Sequence, residues 1–138
     1  MAEYTKPLPR AADPALTQPF WEATKRHELI IPRCRLCNRF FWYPRAACPC
    51  CLREDWEWTP VGGRARLHTF TVVRQPSNPA FMEDVPYAYA VVQLEEGVRM
   101  ISNVVGCRIP EDLRVDMPLV ATFDDVSPDR TLVKFRPA

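Results

Sequence analysis

No apolar run in this 138-residue chain approaches the roughly 18 residues that a membrane-spanning helix needs. The opening stretch, MAEYTKPLPRAADP, lacks the charged-then-apolar layout of a signal peptide, so a cytoplasmic protein with no membrane association is expected. An excess of either charge is missing too. A formal net charge of +1 argues against a protein built mainly to hold phosphate backbones. There is no Gly-rich phosphate loop, no nucleophile elbow and no HExxH motif. The two histidines, His27 and His68, stand apart from any cysteine or serine pattern that would suggest a triad. Asp124-Asp125 falls at a turn, where carboxylates usually cap or face solvent. No internal repeat or low-complexity tract is visible. These absences together predict a chain that is not an enzyme by itself.

What is present is uneven. Hydrophobic residues make up 47%, enough for a packed core in one ordinary domain, or in one small domain joined to a very small one. Residues 1–66 carry 11 Lys+Arg against 7 Asp+Glu, a balance of +4; the remaining 7 against 10 give residues 67–138 a balance of −3. Fifteen of the 18 cations are arginine. The guanidinium group makes planar bidentate contacts and stacks on aromatic rings, which suits interfaces. GC-rich codon usage would give the same bias. Six cysteines in a chain expected to be cytoplasmic point to a metal before they point to disulfides.

The order along the chain is arm, helix, cysteine segment, strands. Residues 1–15 are rich in Pro, Ala and charge and read as an extended arm. A short helix is predicted over 17–28, capped by Thr17 with Pro19 in its first turn; Phe20, Trp21 and Thr24 give it an apolar stripe. The cysteine segment runs from Leu29 to Pro60. Beyond Val61 come β-branched and aromatic runs divided by turn signals, predicting strands over 65–74, 87–94, 98–105, 119–124 and 131–136. Glu95-Glu96-Gly97 makes a tight hairpin, Pro110 to Leu113 a single turn or loop, and Asp124 to Arg130 a turn. Gly62-Gly63 is the expected hinge. The fold class expected is mainly β: an N-terminal arm and helix (1–28), a ribbon (29–62), and a five-stranded OB-fold barrel (63–138). Closing the barrel removes exposed sheet edges. An open five-stranded sheet is the alternative.

The cysteines read C-x2-C at Cys34 and Cys37, then C-x2-C at Cys48 and Cys51, with ten residues between the pairs. Two residues between thiolates let one turn present both sulfurs to one ion, and two such knuckles complete a tetrahedron. Zn²⁺ is the expected cofactor, with iron or an empty site as alternatives. Four thiolates leave no position for water, so the role is structural: the ion folds a segment short of apolar residues. Cys50 sits inside the second knuckle as a bystander, and Cys107 reads as a buried structural thiol. The intervening stretch is long enough for a short hairpin.

Two further features carry aromatic or apolar side chains. Phe40, Phe41, Trp42 and Tyr43 follow the first knuckle. Four successive aromatics cannot all turn inward, so some pack on the knuckles and barrel and others face a partner or ligand. The segment QPSNPAFMEDVP, with three prolines, presents Phe81 and Met82. A rigid connection of this kind suits an interface or an apolar tunnel, or serves as a flap over the barrel end.

These residues resemble a family that joins an N-terminal helix and a rubredoxin-like zinc ribbon to an OB-fold, long catalogued as a domain of unknown function. The resemblance covers nearly the whole chain and rests on PFW at 19–21, LIIPRC at 29–34, YPRAACPCC at 43–51, the GxAxLHTFT pattern at 63–71 and PYAYAVVQLEEG at 86–97. It implies an accessory subunit of a thiolase-superfamily enzyme (thiolase, acyltransferase, hydroxymethylglutaryl-CoA synthase or steroid side-chain aldolase) acting on acyl-CoA thioesters. The partner would supply the catalytic residues. Two other readings stand beside it: single-stranded nucleic-acid binding, against which the acidic barrel region argues, and free acyl-CoA binding or weak hydrolysis.

Overall fold

The structure is a computed structural model describing residues 4–10, 13–107 and 112–138. The expected turn from Pro110 to Leu113 lies partly outside these residues. Helix α1 spans Pro14–Lys25, earlier than the sequence predicts. Asp13, not Thr17, is the N-cap: its side chain accepts from the Leu16 backbone N–H at 3.2 Å, and Pro14 fills the first turn. Pro19 therefore lies in the helix interior and forfeits the bond to the Ala15 carbonyl, a loss of about 3 kcal/mol. Burial of Phe20, worth about 2 kcal/mol, with that of Ala23 and Thr24, offsets it.

The helix ends in a Schellman arrangement. Glu28 N–H donates to the Ala23 carbonyl at 2.9 Å and His27 N–H to the Thr24 carbonyl at 2.9 Å. His27 occupies the left-handed position, φ 60°, that glycine usually takes.

Strands β1 (Leu29–Cys34) and β2 (Trp56–Val61) form a two-stranded antiparallel sheet that brackets the cysteine segment. The hairpin expected between the knuckles is not formed. Phe40 makes an isolated bridge to Arg33, and the chain returns as turns. Residues 38–47 have no facing apolar run to bury, whereas LIIPRC and WEWTPV do, so the pairing goes to the flanks.

Five strands close the barrel: β3 (Arg64–Val73), β4 (Tyr87–Leu94), β5 (Arg99–Val104), β6 (Pro118–Ser127) and β7 (Arg130–Pro137), in the order β3-β4-β5-β7-β6. The closing β5–β7 contact is parallel and short, at Val104 and Phe135. A bulge at His68 lets β3 serve both sides of the barrel. Ala65 and Leu67 face inward before it; after it the inward set shifts to Phe70 and Val72, opposite Ala90 and Ala88. Between β3 and β4 the expected loop contains a 3-10 helix, Pro79–Asp84. The turn before β7 is tighter than expected, because β6 runs on to Ser127.

One core joins helix, ribbon and barrel: Phe20, Leu29 and Ile31 are buried in the same cluster as Leu67, Val92 and Phe135. The expected hinge is accordingly a fixed junction. Gly63 has φ +82°, and its carbonyl accepts from Ala121 N–H at 2.8 Å.

Candidate metal centre and interface

The structure brings Cys34, Cys37, Cys48 and Cys51 together, all four sulfurs within 4.8 Å of one another. The knuckles are near copies. Asn38 N–H donates to the Cys34 carbonyl at 3.0 Å and Leu52 N–H to the Cys48 carbonyl at 2.9 Å. Cys34 N–H donates to Arg39, and Cys48 N–H to Arg53. Asn38 and Leu52, each directly after the second cysteine of its knuckle, both have φ 61°. Asparagine adopts that conformation readily, whereas leucine is strained in it.

The sulfurs fit a tetrahedral ion. A Zn–S bond of 2.3 Å implies sulfurs about 3.8 Å apart; Cys34 and Cys51 are 3.5 Å apart, Cys37 and Cys48 3.7 Å. Backbone N–H groups point at the knuckle sulfurs, with Leu36 and Cys37 donating to Cys34 Sγ and Cys50 to Cys48 Sγ, each at 3.4 Å. The Cys37 N–H, above all, pulls the Cys34 thiol down, and the Cys51 N–H does the same for Cys48. Cys37 and Cys51 receive N–H groups from Arg39 and Arg53, but burial and the crowding of neighbouring sulfurs push both up. Four thiolates in so small a volume need a cation between them. Cys50 is exposed and outside the set. Cys107 is only partly buried, packed against the core.

The four ribbon aromatics separate as their crowding requires. Phe41 is buried with Cys34 and Cys48, against Trp56 at 5.6 Å. Phe40 is half-buried under the Arg33 guanidinium, 5.2 Å from its ring centre. Trp42 turns the other way, 5.0 Å from Phe20. Tyr43 stays 49% exposed. Rings thus run continuously from knuckle to helix: Phe41, Trp56, Trp58, Phe20, then Trp42. Phe81 is half-buried in the 3-10 helix and Met82 is 50% exposed. The arm is tied to that helix by Lys6, whose Nζ lies 2.6 Å from Asp84 Oδ2. The knuckle tips also carry bare leucines, Leu36 at 57% and Leu52 at 76% exposure.

Sequence reasoning missed one cluster. His27 Nε2 meets both carboxylate oxygens of Asp125, its ring stacks on Phe123 at 5.2 Å, and the Thr131 hydroxyl donates to Asp125 Oδ1 at 2.6 Å. Asp124, expected at a turn where it would cap or face solvent, lies within β6 and pairs with Lys134 at 2.6 Å. The Asp125 cluster does not have the order of a nucleophilic triad: the threonine hydroxyl donates to the carboxylate and not to the imidazole, and His27 Nε2 meets only the carboxylate. A left-handed histidine after a helix is the one local signal, and it becomes visible only with the backbone. Among the described residues, no helix is long and apolar enough to cross a membrane.

A thiolate-rimmed ribbon docked on a five-stranded OB barrel defines a class of two-module zinc-ribbon proteins. Comparison with known proteins agrees. The ChsH2 rubredoxin-like zinc ribbon domain matches residues 21–57, and the ChsH2 C-terminal OB-fold domain matches residues 58–124. The chain belongs to this zinc-ribbon and OB-fold family, DUF35. It is 36% identical, over 99% of its length, to a probable enoyl-CoA hydratase alpha subunit of Thermomonospora curvata, of which it spans only 43%. It is 32% identical to a DUF35 domain-containing scaffold protein of Methanocaldococcus jannaschii, covering 79% of this chain and 77% of that one. Among solved structures, a chain of the Ltp2-ChsH2(DUF35) aldolase superposes with TM-score 0.82 at 34% identity, covering 93% of this chain and 98% of that one.

Proposed function

We propose that this chain is a non-catalytic accessory subunit that docks on a thiolase-superfamily enzyme acting on acyl-CoA thioesters. Cys34, Cys37, Cys48 and Cys51 hold one structural Zn²⁺, which stiffens the ribbon and leaves the metal no open position for chemistry. What carries this reading is the set of exposed apolar side chains: Leu36, Leu52 and Tyr43 on a ribbon braced by its knuckles, and Met82 on the 3-10 helix between β3 and β4. Such residues on a rigid support match the anchors of protein interfaces. The likeness to a scaffold protein, a hydratase subunit and an aldolase chain supports the same conclusion.

The test is co-expression with the candidate thiolase-like partner, followed by turnover assays. The chain should co-purify with it and be inactive toward acyl-CoA alone. Met82→Ala should weaken the complex or the partner's turnover without unfolding the barrel, since truncating an anchor often costs about 2 kcal/mol. A partner fully stable and fully active without this chain would remove the accessory role.

A further inference from the structure

Each knuckle tip presents one bare leucine and one arginine. Leu36 lies beside Cys37 and Leu52 beside Cys51, and Leu52 is the most exposed large hydrophobic residue among those described. Cys37 and Cys51 belong to one cluster whose sulfurs lie within 4.8 Å of one another, so a single surface can reach both leucines. Arg39 and Arg53 hold equivalent places. The Arg39 carbonyl accepts from Cys34 N–H at 2.9 Å and the Arg53 carbonyl from Cys48 N–H at 2.8 Å. Those bonds use only the backbone, and both residues are exposed.

Two observations set these tips apart from ordinary solvated surface. The first is Leu52. It holds a left-handed backbone, φ 61°, yet its side chain belongs to neither core cluster, so no burial offsets the strain. Asparagine fits the same place in the other knuckle. The second is charge. Residues 29–61 carry five arginines and no lysine, against Glu54, Asp55 and Glu57. Arg35 engages two of those carboxylates, Asp55 at 2.8 Å and Glu57 at 3.3 Å. Arg39 and Arg53 have no carboxylate partner among the described residues. A guanidinium is weakly hydrated and forks onto carboxylates, which suits it to burial against one.

We propose that the two knuckle tips together form the surface that docks on the thiolase-like enzyme, and that they seat on an apolar patch of it rimmed by Asp or Glu. Leu36 and Leu52 fill the apolar centre, and Arg39 and Arg53 meet the carboxylates at its edge. This rests on the accessory reading and names where, and by what chemistry, the chain docks. A leucine at each tip favours a protein over a nucleic acid, because phosphate contacts gain nothing from an exposed aliphatic side chain.

The experiment measures the affinity of the purified, zinc-loaded full chain for the thiolase-like enzyme obtained by co-expression, by calorimetric titration at several salt concentrations. Wild-type binding should weaken between about 0.05 and 0.5 M salt. Arg39→Glu and Arg53→Glu should each weaken it roughly tenfold and flatten the salt dependence, with zinc content and thermal midpoint held. Leu36→Ser should cost about as much. Leu52→Asn should weaken binding while raising the thermal midpoint, and these opposite signs exclude loss of fold as the cause. Arg64→Glu makes the same charge change on the barrel and should leave affinity unchanged. If the knuckle variants bind like wild type while Met82→Ala does not, docking lies elsewhere: the accessory reading stands and this proposal falls. An equal loss with Arg64→Glu would make the effect one of overall charge and overturn it. So would a single-stranded oligonucleotide, or a second copy of the chain, that binds wild type and is lost in the same variants. A wild-type chain that forms no complex removes the accessory reading and this proposal together.

Discussion

His27 Nε2 lies 2.9 Å from Asp125 Oδ2 across 98 residues of sequence, joining the end of the helix to the last hairpin of the barrel. The pair also accounts for a left-handed histidine where glycine would be easier.

The pair should make stability depend on pH. The Thr131 hydroxyl and then His27 hold the Asp125 carboxyl below its ordinary value of 3.8. A carboxylate with a lowered folded pKa stabilises at and above its unfolded pKa, and that stabilisation is lost as pH falls through the folded one. Wild-type protein should therefore melt above Asp125→Asn at neutral pH, with the gap closing as pH drops below 3.8. Thermal midpoints of both proteins across that range are the check, and a gap that widens on acidification would contradict the assignment.

The metal centre makes a stoichiometric prediction. Protein made without added metal should carry one zinc per chain by elemental analysis. Cys34→Ser or Cys48→Ser should give insoluble or proteolysed protein, because metal binding supplies folding free energy on the order of 10 kcal/mol. Cys50→Ser should be mild. A Cys50 variant without metal, beside a Cys51 variant that retains it, would move the fourth ligand.

Leu52 is strained and bare, whereas its counterpart Asn38 is suited to the same φ of 61°. Leu52→Asn should raise stability by about 0.5–1 kcal/mol, read by denaturant titration. If Leu52 is kept as an interface anchor, the same variant should bind the partner less tightly. A gain in stability with unchanged capture would leave Leu52 no part in docking.

Neighbouring glycines should respond differently. A Cβ on Gly63 would sit 2.9 Å from Ala121 Cβ at φ +82°, whereas one on Gly62 meets nothing within 4 Å. Gly63→Ala should destabilise by about 2 kcal/mol or more, and Gly62→Ala by little. Equal melting of the two variants would mean that the junction relaxes freely.

The sequence by itself determined whatever depends on neighbours along the chain. Two C-x2-C spacings place paired sulfurs in one turn each, and alternation over segments such as YAYAVVQL marks strands with one buried face. The helix was legible through Phe20 and Trp21, but its start was not: Asp13-Pro14 and Thr17 are both sound beginnings, and the choice shows only in the backbone, where Asp13 caps and Pro19 falls inside. Tertiary structure decided the rest. The pairing of LIIPRC with WEWTPV, the His27–Asp125 contact, and the division of Phe40 to Tyr43 between core and surface all join residues distant in sequence. Such contacts depend on the whole chain closing around one core, and no local spacing encodes which surfaces that closure brings face to face.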